Sequence, residues 1–197
     1  MKKLMMILGA LILIGVPSIT QAELLNNAGF ETNTGPGGSA DWWASSFTGT
    51  ETWANHGGAW GMAVTTWNNA GTGSAYQEVA ATAGTPYEFS LWGQGDSSSY
   101  TGSFYLKLAW YQGATLLSEN TQTVALTTDW TQYTLDATAP TNANKVQATF
   151  GGLNASTVGK FDDASLTFTQ VPEPSSMAML TIGGLALVGV VRRKMKK

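Results

Sequence analysis

Residues 86–112 read PYEFSLWGQGDSSSYTGSFYLKLAWYQ, and how they alternate decides the fold. Successive side chains of a strand point to opposite faces. Tyr87, Phe89 and Leu91 form one apolar set, and Phe104, Leu106, Leu108 and Trp110 form a second on the next apolar segment. Between them lies Gly95-Asp96-Ser97, a polar turn. Two half-buried strands are the expectation, with those seven residues in a core.

The same reading extends outward. Between Glu23 and Gln170 helical periodicity is hard to find, and Gly, Thr, Ser and Asn clusters separate β-branched and aromatic runs. Strands are expected at 86–93, 103–112, 122–126, 131–137, 145–151 and 160–169, with weaker ones near 42–48, 60–66 and 75–80. Some nine strands broken by polar turns predict an all-β, two-sheet antiparallel β-sandwich of jelly-roll type. There is no Cys, so neither a disulfide nor a thiolate ligand is available.

The outward sets are unusual. Glu88, Ser90, Trp92 and Gln94 oppose the first apolar set, and Tyr105, Lys107, Ala109 and Tyr111 oppose the second. An outward set normally reads Thr, Ser and Lys. This one predicts an aromatic platform fringed by donors and acceptors, unless a loop covers the rings. Aromatic rings stack on the C–H faces of sugars while neighbouring polar groups meet the hydroxyls. Trp43 and Trp53 in Gly-, Asn- and Thr-rich surroundings are further candidates, since a loop-borne Trp often marks a binding surface.

Both ends are apolar. Lys2 and Lys3 precede the run Leu4–Val16, and Thr20-Gln21-Ala22 supplies small residues before Glu23, which predicts a secretory signal peptide over 1–22. After a central domain over 23–170, the segment 171–197 holds Pro172, Glu173 and Pro174, an apolar run over 177–191, and a tip with Arg192, Arg193, Lys194, Lys196 and Lys197. Fifteen helical residues reach about 22 Å against a hydrocarbon core of about 30 Å, so a helix there barely spans. The basic tip would stay on the cytoplasmic side of an inner membrane.

Only three of the ten Lys and Arg fall in 23–170 (Lys107, Lys145 and Lys160), against twelve carboxylates, a formal charge of −9. Nucleic acid is thereby excluded as an expected partner. His56 is the single histidine and no GxSxG occurs, so no nucleophilic triad is suggested and no enzyme is expected. A glycosidase would need two carboxylates about 5 to 10 Å apart. Glu78 and Glu88 are the pair that could share a surface.

Taken in order, LLNNAGFET (24–32), Trp42-Trp43, SAYQEV (74–79), AGTPYEFSLW (83–92), LAWYQ (108–112), DWTQYTL (129–135), TAPTNANKVQATF (138–150) and FDDASL (161–166) resemble carbohydrate-binding modules with a galactose-binding-like jelly roll. The chain resembles in particular the modules that accompany xylanases and cellulases, though no attached catalytic domain is expected here. GFE (29–31) and Asp162-Asp163 would meet if first and last strands are neighbours. Three gathered carboxylates repel one another unless a cation sits among them, and hard oxygen ligands suit Ca²⁺. The resemblance implies a structural calcium with Glu31 as one ligand and Asp162 or Asp163 as another; solvated carboxylates at strand ends are the alternative. Parity makes Asp162 the buried member.

The tail resembles the PEP-CTERM sorting signal of Gram-negative bacteria. The resemblance implies processing by exosortase, a transient inner-membrane anchor after Sec export, and delivery to the cell surface or extracellular matrix. The two prolines keep the motif extended and legible to a protease. The functional expectation is a non-enzymatic surface or biofilm-matrix protein that binds polysaccharide, exopolysaccharide among the ligands open to it, with a structural matrix or adhesion protein lacking a sugar site as the alternative and a small glycan-active enzyme as the remote one.

Overall fold

The computed structural model describes residues 22–35, 38–45, 47–65, 73–96, 103–153 and 158–168. The expected signal peptide, the Pro172-Glu173-Pro174 motif and the 177–191 span lie outside these residues. Twelve strands occur among them: β1 (Asn33–Gly35), β2 (Gly38–Ser39), β3 (Trp43–Ala44), β4 (Thr48–Glu51), β5 (Gly61–Thr65), β6 (Ser74–Ala80), β7 (Pro86–Gly95), β8 (Ser103–Gln112), β9 (Thr115–Val124), β10 (Thr131–Thr138), β11 (Lys145–Leu153) and β12 (Val158–Phe168). Beyond the small β1–β2 hairpin, two five-stranded antiparallel sheets are formed, in the orders β10-β7-β12-β5-β4 and β3-β6-β11-β8-β9. We call them the β7 sheet and the β8 sheet.

The core lies between the two sheets, where the alternation placed it. Phe89, Leu91, Phe104, Leu106, Leu108 and Trp110 are fully buried and Tyr87 nearly so. Tyr87 and Trp110 meet edge to face across the sheets, at 5.4 Å between ring centres. The Trp110 indole N–H donates to Asn120 Oδ1 at 2.9 Å, and Tyr87 Oη accepts the Thr82 N–H at 2.9 Å, so neither polar end is orphaned. A second aromatic cluster joins Phe30, Trp42, Phe150 and Phe161, with ring centres 5.0 to 5.9 Å apart. Each such side chain contributes about 1.5–3 kcal/mol by leaving water.

The structure corrects one expectation that matters for function. β7 and β8 follow each other in the chain but belong to different sheets: β7 pairs with β10 and β12, and β8 pairs with β9 and β11. Their apolar sets face each other, so their outward sets face opposite ways. Trp92, Gln94 and Glu88 therefore cannot share a platform with Tyr105, Lys107 and Tyr111. Alternation assigns in and out for each strand, but says nothing about which strand is the neighbour.

Two strand boundaries also differ from the reading of the sequence. The 42–48 segment divides into β3 and β4, which join different sheets. The strand expected at 122–126 is instead the ten-residue edge strand β9, reached through a tight turn at Gly113, whose φ of 59° favours glycine. Residues 115–121 are exposed on both faces, because nothing packs beyond the edge, and no apolar alternation betrays the strand.

Candidate functional site

The outer face of the β8 sheet gathers most of the aromatic candidates. Register places Trp43, Tyr76, Thr149, Lys107 and Thr121 in one row across β3, β6, β11, β8 and β9. The next row holds Glu78, Gln147, Ala109 and Glu119, and the one beyond it Ala80, Lys145, Tyr111 and Leu116. On the other side of the first row lie Ser74, Gly151, Tyr105 and Thr123. Tyr111 thus sits about 13 Å along the strands and about 10 Å across them from Tyr76, using the usual rise and strand spacing.

The rings are held in place. Trp43 is 52% exposed yet stacked on Tyr76 at 4.9 Å and 30°. Tyr105 lies over Gly151: a Cβ on that glycine would come within 2.7 Å of both Tyr105 Oη and the Gly73 carbonyl oxygen. Burial pushes the Tyr105 hydroxyl above its ordinary pKa, partly offset by a hydrogen bond with Ser74. The ammonium of Lys145 stands 4.9 Å from the centre of the Tyr111 ring.

Between the rings the floor is polar and electrically balanced. Lys145 Nζ donates to Glu78 Oε2 at 2.8 Å, and Gln147 Nε2 to Glu78 Oε1 at 3.2 Å. Thr149 Oγ1 donates to Gln147 Oε1 at 3.4 Å, and Lys107 pairs with Glu119 at 3.5 Å. Two ammonium groups facing two carboxylates leave no net charge to select an ionic ligand. Amide, hydroxyl and carboxylate groups that both give and accept hydrogen bonds are what vicinal sugar hydroxyls require.

Tyr76, Glu78, Lys145, Gln147 and Thr149 were not among the binding residues expected from sequence. The signal was present: in SAYQEVA and KVQATFG these residues alternate with the buried Ala75, Gln77, Val146, Ala148 and Phe150. Lacking the strand order, their faces could not be joined to that of β8.

The remaining candidates lie on the outer face of the β7 sheet. Trp92 is half-buried, because the β4–β5 loop folds over it: the His56 ring lies on it at 4.3 Å and 13°, and Trp130 contacts His56 at 5.1 Å. Gln94 donates to the Thr128 carbonyl oxygen at 2.7 Å. Glu88 lies directly opposite Asp136 of β10, where both line a shallow depression with Pro86 and Thr138. Trp53, 48% exposed, projects from the same loop as His56. Glu78 and Glu88, the two carboxylates that could have formed a hydrolytic pair, are on opposite sheets.

Glu31, Asp162 and Asp163 do converge, since the amino-terminal segment runs beside β12: Leu24 N–H donates to the Leu166 carbonyl oxygen at 2.9 Å and Ala164 N–H to that of Ala28 at 3.0 Å. What they face is N–H groups. Asp162, fully buried at a bulge in β12, accepts from His56 N–H at 2.7 Å, Gly57 N–H at 3.0 Å and Asp163 N–H at 2.7 Å. Both Glu31 oxygens accept from Ala59 N–H at 3.0 Å, and Asp163 Oδ2 is 2.8 Å from His56 Nδ1. Among the described residues no three His, Cys, Asp or Glu side chains are grouped to hold a metal. As arranged, Asp162 and Glu31 are met by backbone N–H donors and Asp163 Oδ2 by the His56 ring, so a Ca²⁺ at this corner would have to displace them. Burial pushes the Asp162 carboxyl above its ordinary pKa, against the pull of its backbone donors.

A jelly-roll sandwich with one sheet face lined by fixed rings and balanced polar groups defines a class, the non-covalent binding module. Residues 22–157 match the model of a carbohydrate binding domain family, and the chain belongs to that family. Residues 170–194 match the PEP-CTERM protein-sorting motif, which marks an exported protein with a membrane-anchored sorting step. No curated protein matches the chain.

Solved structures share the fold. The enzymatically active domain of bacteriophage CBA120 tailspike protein 4 is 11% identical, with a TM-score of 0.60 over 74% of this chain and 21% of that one. The CBM22-1–GH10 modules of a Clostridium thermocellum endo-1,4-β-D-xylanase, complexed with xylohexaose, are 19% identical at a TM-score of 0.58, covering 77% and 29%. TmCBM61 in complex with β-1,4-galactotriose is 20% identical at 0.52, covering 76% and 99%. This chain spans less than a third of the first two, and the likeness is one of fold.

Proposed function

We propose that this is a non-enzymatic exported protein that binds a neutral polysaccharide along the outer face of the β8 sheet. The rings of Trp43, Tyr76, Tyr105 and Tyr111 stack on sugar faces, while Glu78, Gln147, Lys145, Lys107 and Glu119 meet the hydroxyls. The observation that supports the reading best is the register, which sets four rings around two Lys–Glu pairs on one open face. Rings some 13 Å apart along the strands suit an extended chain of several units better than a single sugar. Exosortase processing and display on the cell surface or in the matrix follow as part of the same reading, with exopolysaccharide as the ligand.

Affinity electrophoresis against a panel of soluble polysaccharides, the host's own included, tests it. Retardation that is sharply weakened in Tyr76→Ala and Tyr111→Ala with folding intact is expected; an unretarded wild type would overturn the proposal. The exposed ten-residue edge of β9 favours a second reading, assembly into matrix by strand pairing between copies. Light scattering separates the two: a mass that rises with concentration, without glycan, would speak for assembly.

A further inference from the structure

The outer face of the β7 sheet carries a second, independent set of exposed ring and polar groups. Trp53 is 48% exposed in the β4–β5 loop, with its ring 5.8 Å from Lys160 Nζ. Lys160 is held 3.3 Å from Asp96 Oδ1 and 3.4 Å from Gln94 Oε1, and the Asp96 side chain is 56% exposed. The loop that carries the indole is pinned rather than loose. Ala54, next in sequence, is fully buried, and its carbonyl oxygen sits where a Cβ on Gly61 would be. His56 and Gly57 donate to Asp162, Ala59 donates to Glu31, and Asn55 Nδ2 donates to the Gly58 carbonyl oxygen at 3.1 Å.

An indole left in water on a rigid loop, beside an ammonium–carboxylate pair, is preorganised for a ligand with an apolar face and hydroxyls at its rim. The Lys160–Asp96 pair is again charge-balanced, so the ligand it suits is a neutral glycan. We infer that Trp53, Lys160, Asp96 and Gln94 form a second glycan-binding site on the sheet opposite the first. One copy of the protein then bridges two polysaccharide strands, and acts as a cross-linker instead of a coat. The inference rests on the chain being a glycan binder, and its test separates the two.

Full-length wild type, Trp53→Ala, Tyr76→Ala/Tyr111→Ala and the triple variant are compared on gels containing xylan, mixed-linkage β-glucan, β-1,4-galactan or the host's polysaccharide, and for clumping of beads coated with whichever retards. Matched far-ultraviolet spectra and melting temperatures establish folding. Expected are weak residual retardation of the double variant that the triple variant lacks, and loss of bead clumping in Trp53→Ala. Apparent affinity for the immobilised polymer falls at least about tenfold in Trp53→Ala, through lost avidity. A double variant with no residual retardation, or a Trp53→Ala protein that clumps beads like wild type, overturns the second site and leaves the first standing. A wild type that no polysaccharide retards overturns both.

Discussion

His56 lies flat on Trp92, ring centres 4.3 Å apart and planes 13° from parallel, while its Nδ1 meets Asp163 Oδ2 at 2.8 Å. One imidazole thus fastens the β4–β5 loop both to β7 and to the bulge of β12. One face of Trp92 is thereby covered.

His56→Ala should destabilise the sandwich by about 1 kcal/mol, the size of a stacked aromatic pair. It should also shift tryptophan emission to the red as the Trp92 face is wetted. Chemical denaturation and fluorescence check both, and glycan retardation through the β8 face should be unchanged.

The raised pKa of Asp162 has a sign that can be tested. A folded-state value above the ordinary 3.8 means that the folded chain holds this proton at pH values where the unfolded chain has released it. The cost of the buried charge is therefore fully present at neutral pH and is relieved as pH falls through the folded pKa toward 3.8. Asp162→Asn removes this response, and its amide hydrogens confront at least one N–H donor, so the variant is less stable at pH 7. The stability gap between wild type and variant should widen from pH 7 to about pH 4; a gap constant across that range would refute the assignment.

Gly151→Ala should cost about 1–3 kcal/mol, as overpacking does, because its Cβ has no room between Tyr105 and the Gly73 carbonyl. The displaced Tyr105 ring should also weaken glycan binding. Titration with the retarding polysaccharide would show a weaker Kd together with the lower melting temperature.

If the N–H-facing carboxylates are the resting arrangement, neither millimolar Ca²⁺ nor EDTA should move the melting temperature by more than about 1 °C, since only a ligand that prefers the folded state raises it. A rise of several degrees with Ca²⁺, reversed by EDTA, would show that Glu31 and Asp163 swing from their donors onto an ion.

What the sequence made legible was local. Tyr87 to Leu91 and Phe104 to Trp110 announce their buried faces by alternation alone. Tyr105, Lys107 and Tyr111 were placed on an outward face for the same reason. Asp162 is buried, but not by parity: the β12 bulge puts it opposite Trp92 on the outer side of the sheet, and the β4–β5 loop covers it. The partnership of Trp43, Tyr76 and Gln147 with them was not legible, because it depends on β6 and β11 lying between β3 and β8, a long-range pairing that no local pattern encodes. The cover over Trp92 was hidden too, since TWANHGGAW reads as a loop without showing where it folds. Asp162 and Glu31 gather at one end as their motifs suggest, yet the donors they meet come from that same loop.

β12 is an interior strand of its sheet, between β7 and β5, and Leu166 on it anchors the residues at the very start of the folded body. A chain that emerges amino-terminus first therefore has no closed sandwich until its last strand arrives. That strand stands directly before the sorting motif. Closure of the sandwich therefore depends on the strand that lies nearest the sorting motif in the sequence, so a change near the end of the body acts on its core and not on a dispensable edge.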